Sequence, residues 1–235
     1  MCSFKEYFTL TLRISTETTK ELKNAFIMLV EILENGQDPK LQANVGAVLS
    51  CVMATSEELW EYFAVQLDLV PVLMRALSGS EEEAVLLNVL AALMSAAQGG
   101  ESAASLIAKE GTQGLVLLCQ QSHYTHRILE SVADLICQVA SYESCRISLT
   151  QSGIGELLVP LLSIENNEIR VRVLLALGML LPGCEPLQKL LASGKAFVNQ
   201  LVVLMSSNDM DIKGLSRDIF TGLAKAHKED IASSL

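Results

Sequence analysis

Aromatic side chains make up only 5% of this 235-residue chain, and there is a single Trp. The core must therefore be filled by Leu, Val, Ile, Ala and Met, the usual filling of helix packed on helix, and the apolar half of the composition predicts an all-α fold. Long hydrophobic runs are also lacking. The longest, Val173 to Leu181 with Gly178 inside it, falls short of the roughly 18 residues that suggest a membrane span, so no membrane partner is expected. Positive charge is scarce: the net charge is −10, and no basic stripe is present to neutralise nucleic-acid phosphates. The deficit is uneven, with 7 basic against 15 acidic side chains in residues 1–110 and 10 against 12 in residues 111–235.

Other absences bound compartment and chemistry. Met1 to Ile14 has neither a continuous apolar region nor a small-residue cleavage site, which excludes a secretory signal there. The six cysteines, Cys2, Cys51, Cys119, Cys137, Cys145 and Cys184, form no CxxC pair. Unpaired, buried thiols in a reducing cytoplasm are the expectation. No GxSxG, GxxxxGK[ST] or HExxH occurs, so an enzyme hypothesis has no motif to stand on. Cys119, His123 and His126 form C-x3-H-x2-H, but structural zinc takes four ligands and no fourth lies close in sequence. Neither a metal nor a cofactor is expected.

What is present is a repeat. A Glu opens each predicted short helix, at Glu58, Glu101, Glu143, Glu185 and Glu229, with spacings of 43, 42, 42 and 44. A carboxylate in a first turn complements the helix dipole. Asp68, Gly111, Gly153 and Gly194 follow in step at spacings of 43, 42 and 41, and a Gly after a last turn accepts the left-handed conformation that ends a helix. Both landmarks give a period of about 42 residues.

Taken in order, residues 1–15 fit no repeat and read as irregular. Residues 16–54 form a partial repeat: a helix from Thr16 to Glu34 that buries Ala25, Phe26, Leu29, Val30 and Leu33, then one opened by Pro39 and running to Ala54. Complete repeats follow at 55–98, 99–141, 142–182 and 183–225, and 226–235 begins a further one that is cut off. In the first complete repeat Ser56 caps a short helix carrying Trp60, Leu69 to Leu77 makes the second, and Glu81 to Ala97 the third, with Glu81, Glu82 and Glu83 at its start. Trp60 is expected to pack against the preceding repeat.

The stretches SGIGELLVPLLSIENNEIRVRVLLALGMLL and LDLVPVLMRALSGSEEEAVLLNVLAALMSAA resemble armadillo repeats over roughly residues 16–228. The period also suits HEAT repeats, but the short opening helix and the Gly before the second favour armadillo. The resemblance implies a right-handed α-solenoid whose third helices line a concave groove and whose work is protein binding without catalysis. It also implies a groove chemistry, a ladder of Asn each preceded four residues earlier by Trp, that grips an extended peptide. Here Cys51, Ser95, Gln138, Met179 and Gly222 fall at the Asn position, and Ala47, Ala91, Asp134, Leu175 and Asp218 at the Trp position, so the ladder is absent. Armadillo segments without it also occur joined to tetratricopeptide repeats in co-chaperone-like proteins, and a missing flanking domain of that kind would suit the incomplete first repeat.

One turn before the Trp position lie Asn44, Asn88, Ser131 and Arg172, on the same helical face. With Ser95, Asp134 and Gln138 they form a polar stripe over four third helices, and these seven residues are the candidate partner-binding site. The competing readings are a merely solvated face and, for Arg172 and Asp134, an ion pair within the chain. The partner is expected to be a protein, presented as an extended segment or a helix, on a cytoplasmic scaffold or assembly adaptor. The alternatives are a transport adaptor for a basic extended peptide and an unrecognised enzyme.

Overall fold

The structure is a computed structural model that describes residues 16–54, 68–120 and 125–234. The expected irregular segment 1–15, the short helix with Ser56, Glu58 and Trp60, and Cys2 and His123 lie outside the described residues. Among those described there are fourteen α-helices and one 3-10 helix, and no strand. The chain divides into two compact units, one ending at Gly114 and one beginning at Leu115.

The first unit contains α1 (Thr16–Asn35), α2 (Pro39–Met53), α3 (Leu69–Gly79), α4 (Glu83–Gly99) and α5 (Glu101–Glu110). The sixth helix, α6 (Thr112–Gln120), straddles the division. Local chemistry sets the starts. Asp38 accepts the Lys40 amide at 3.0 Å, capping α2 while Pro39 occupies the first turn, where its missing N–H costs nothing. The third-type helices α2 and α4 pack side by side, α1 packs on α2 and α3, and α3 packs on α4 and α5.

The second unit continues with α7 (His126–Ala140), α8 (Glu143–Gln151), α9 (Ile154–Leu158), a 3-10 turn (Val159–Ser163), α10 (Asn167–Leu180), α11 (Glu185–Ser193), α12 (Lys195–Leu204), α13 (Met210–Ala226) and α14 (Lys228–Ser234). Here α10 is sandwiched between α7 and α13. Asn166 caps α10 by accepting the Ile169 amide at 3.1 Å, and Asp209 caps α13 by accepting from Asp211 and Ile212. The third helices α2, α4, α7, α10 and α13 start at residues 39, 83, 126, 167 and 210, at intervals of 44, 43, 41 and 43. This is the all-α solenoid with a period of about 42 residues.

The cores are aliphatic. Leu49, Leu86, Leu90 and Leu93 in the first unit, and Leu135, Ile136, Leu174 and Leu177 in the second, are fully buried. Each such side chain contributes about 1.5–3 kcal/mol relative to exposure. Ser216, the buried polar side chain among the described residues, donates to the Ile212 carbonyl one turn back at 2.6 Å.

A recurring device closes the corners. The last carbonyls of a helix have no partner within it, and here a long polar side chain in the following helix supplies one. Gln42 caps α1 through Leu33 O (3.0 Å), and Arg146 caps α7 through Ala140 O (2.7 Å). Gln188 caps α10 through Leu181 O (2.7 Å). At the 3-10 turn the Leu162 carbonyl accepts from both Arg170 and Gln200, each at 3.1 Å.

Several expectations are corrected. The left-handed conformation occurs at Gly153 (φ 82) and at Asp68 (φ 49), but Gly111 (φ −87) and Gly194 (φ −80) are not left-handed. Gly111 is instead needed for space, because a Cβ there would lie 2.7 Å from the Ile107 carbonyl oxygen, which is backbone and cannot swing away. The second helix after Gly153 is not continuous: Pro160, without an N–H, leaves five α-helical residues followed by a 3-10 turn. Helix α4 starts at Glu83, so Glu81 and Glu82 precede it. Ala25 is exposed on α1 rather than buried, and so is Cys51 on α2.

Candidate functional site

The ten ladder and Trp positions of the third helices share one property: none is buried. Ala47, Cys51, Ala91 and Ser95 in the first unit, and Asp134, Gln138, Leu175, Met179, Asp218 and Gly222 in the second, are all partly or fully exposed. In each unit the third helices therefore keep one face free of core packing. What that face carries differs along the chain.

In the first unit the face is tied together by Asn88. Its Nδ2 donates to the Ala43 carbonyl of α2 at 2.8 Å, and the helices approach so closely that a Cβ on Gly46 would lie 3.1 Å from Asn88 Cβ. Asn88 thus joins α2 to α4 and keeps its amide oxygen as an acceptor. Asn44 is exposed on α2, followed on the same side by exposed Val48 and Cys51. Ser95 donates to the Ala91 carbonyl at 3.0 Å, which leaves its oxygen lone pairs free to accept.

In the second unit the face is dominated by Arg172 on α10. Its Nε reaches Asp134 Oδ1 at 2.6 Å, its second nitrogen reaches Glu168 Oε2 at 2.6 Å, and its third reaches Glu130 Oε1 at 3.2 Å. The guanidinium is held further above its ordinary pKa chiefly by the Asp134 hydrogen bond, against the opposing effect of burial. Asp134 and Arg172 are therefore paired with each other, and this cluster joins α7 to α10. Beneath them the Cys137 thiol donates to the Arg172 carbonyl at 3.2 Å, and burial, with help from Asp134, pushes its pKa up to about 12. Ser131 donates to the Arg127 carbonyl at 2.9 Å. The half-buried Gln138 receives the Ser141 hydroxyl on its backbone oxygen at 2.6 Å.

Further along the same unit the face changes from polar to apolar. Between α10 and α13 lies a cleft of about 530 Å³, open to solvent on one side, whose walls include Leu175, Met179, Leu215, Asp218, Ile219 and Gly222. Four of these are the ladder and Trp positions of the last two third helices, where the sequence carries Met179 and Gly222 in place of Asn and Leu175 and Asp218 in place of Trp. The available signal was the opposite one, an exposed Leu beside glycines within long helices. Among the described residues no group of three His, Cys, Asp or Glu is placed to hold a metal ion.

This chain has the armadillo-like repeat fold. No protein-family model and no curated protein sequence matches it, but solved structures do. A computationally designed armadillo repeat protein for modular peptide recognition matches with a TM-score of 0.72 at 17% identity over 88% of this chain and 89% of its own. A second designed armadillo repeat protein, in complex with the peptide (KR)4, gives 0.67 at 16% over 88% and 86%. An engineered protein from the Northeast Structural Genomics Consortium gives 0.73 at 21% over 89% and 85%.

Proposed function

We propose that the chain is a non-enzymatic protein-binding scaffold that holds partner segments on the exposed faces of its third helices. The observation that carries this reading is that two positions four residues apart on each of five third helices, ten in all, are left out of the core in an otherwise tightly packed helical chain. Side chains there reach a partner without disturbing the fold, and a stack of rigid helices needs no chemistry to do so. Asn44, Ser95 and Gln138 are the groups of the polar stripe best placed for contact. Ser131 supports the same face. Asn88, Asp134 and Arg172 serve it by fixing neighbouring helices in register. A cytoplasmic assembly adaptor or co-chaperone-like scaffold is the role that suits such a surface.

A second reading, an adaptor for a basic extended peptide, draws on the net charge of −10 and on the (KR)4 complex of a designed structural neighbour. Against it stand the missing Asn and Trp ladder and the pairing of Asp134 with Arg172.

The test is affinity purification from cells, followed by mass spectrometry, for three proteins. These are the wild type, a face variant (Asn44→Arg, Ser95→Arg, Gln138→Arg) and a control on the short first-type helices (Ile147→Arg, Leu190→Arg). Folding is checked by melting temperature. Partners lost from the face variant and kept by the control support the proposal. The reverse pattern moves binding to the other side of the helices and overturns it.

A further inference from the structure

We infer that the cleft between α10 and α13 is a docking trough for an amphipathic helical segment of a protein partner, one with an aliphatic stripe and a Lys or Arg beside it. The inference rests on the protein-binding reading and deepens it by naming the chemistry of one partner.

The shape of the trough favours a helix. Its lining runs from Leu174 to Met179 along α10, on past the helix end to Pro182, and from Leu215 to Ala226 along α13, about 16 Å on the α13 side at 1.5 Å per residue. That is the length of two to three helical turns. An extended segment laid in this trough would bury backbone N–H and C=O groups against walls that offer only two polar side chains, Asp218 and Gln188. The Gln188 amide is already donating to Leu181 O. Unsatisfied backbone groups are costly. A helix brings its backbone hydrogen bonds with it and presents only side chains, the arrangement by which amphipathic helices fill apolar grooves.

The floor allows close approach. Among the described residues, Gly178, Gly214 and Gly222 are helix-interior glycines whose added Cβ would meet nothing within 4 Å. Two of the three line this trough. Nothing inside the chain needs their lack of a side chain, whereas an incoming helix does.

Charge fixes the partner's flank. Asp218, the ionisable residue of the lining, is exposed and makes no ion pair or side-chain hydrogen bond among the described residues. A base on the incoming helix completes it. Lys225, two turns further along the same flank of α13 and outside the lining, sets the orientation, with an acidic residue of the partner at that end.

The experiment is selection from a yeast-displayed library of helical peptides of about 15 residues, long enough to hold helical structure, against the folded protein. The expected winners carry apolar residues at i, i+3 or i+4 and i+7, with Lys or Arg on one flank. Their affinity should fall about tenfold or more in Gly222→Leu and Gly178→Leu, which fill the trough, with melting temperature maintained. It should fall similarly in Asp218→Lys and recover when the peptide's base is replaced by Glu. Winners without the stripe, or binding indifferent to all three variants, would overturn the inference. So would uptake of decanoate in place of any peptide, or self-association abolished by Gly222→Leu, which assigns the trough to a small apolar ligand or to a second copy. Peptides that map to Asn44, Ser95 or Gln138 instead leave the protein-binding reading intact while this inference fails. Enrichment of nothing on any face overturns this inference and leaves the protein-binding reading to the affinity purification described above.

Discussion

Asp134 and Arg172 meet between α7 and α10 at 2.6 Å, and Arg172 also gathers Glu130 and Glu168. One guanidinium thus pairs with three carboxylates, two of them a turn apart on α7. Replacing Arg172 with Met removes the pairs and leaves like charges facing one another. Because the Arg172 side chain is 24% exposed and the carboxylates 32 to 70%, the pairs are screened, and the loss should be about 1 kcal/mol rather than the several expected of a buried pair. Added salt should raise the melting temperature of Arg172→Met more than that of the wild type. Identical salt responses would contradict this account.

Asn88 and Gly46 hold α2 against α4 by complementary means, one a hydrogen bond and the other an absence of bulk. Asn88→Ala should cost about 0.5–1.5 kcal/mol through the lost bond to Ala43 O. In Gly46→Ala the new methyl meets Asn88 at 3.1 Å and forces the helices apart, at about 1–3 kcal/mol. Denaturant melts of the two single variants and the double variant measure the coupling, which should be non-additive because the sites touch.

Glycines should respond to substitution according to backbone and space. Gly178→Ala and Gly222→Ala place a methyl in open space on a helix interior and should each stabilise by about 0.5–1 kcal/mol. Gly153→Ala, at φ 82, should destabilise by about 1–2 kcal/mol. Thermal melts give both signs, and a destabilised Gly222→Ala would show that its space is used within the chain.

The thiols give a pH dependence. Burial raises Cys119 and Cys137 from an ordinary 9.0 to about 12. Between those values the unfolded chain has released the thiol protons and the folded chain keeps them, so the folded state binds more protons. Stability therefore falls as pH rises through this window, by up to about 1.4 kcal/mol per pH unit for each thiol. The decline should be shallower in Cys119→Ala and Cys137→Ala. At neutral pH a thiol reagent should label exposed Cys51 quickly and these two slowly, with none of the described cysteines in a disulfide.

Much of the fold was legible because its signals are local. Glu101, Glu143 and Glu185 do open helices, Pro39 does occupy the first turn of α2, and the apolar spacing marks the core. The ion pair of Arg172 with Asp134, 38 positions away, was legible as one of two readings of those charges. The bond from Asn88 to Ala43, 45 positions away, was not, because polarity alone does not separate a side chain that faces water from one that ties two helices together. The trough was hidden for a different reason. It is made by what Gly178 and Gly222 do not have, and a search for groups able to bind passes over an absence.

The corner caps of Gln42, Arg146, Arg170 and Gln188 bear on how the chain folds. Each reaches back only nine, six, eight and seven residues, so each closes a small loop at little entropic cost. Any corner can form before its neighbours and serve as the starting nucleus, with growth running outward in both directions, as in other arrays of short-range contacts. The same locality governs failure under load: a chain drawn from its ends gives way one corner at a time, and a mutation at one cap weakens its own corner first.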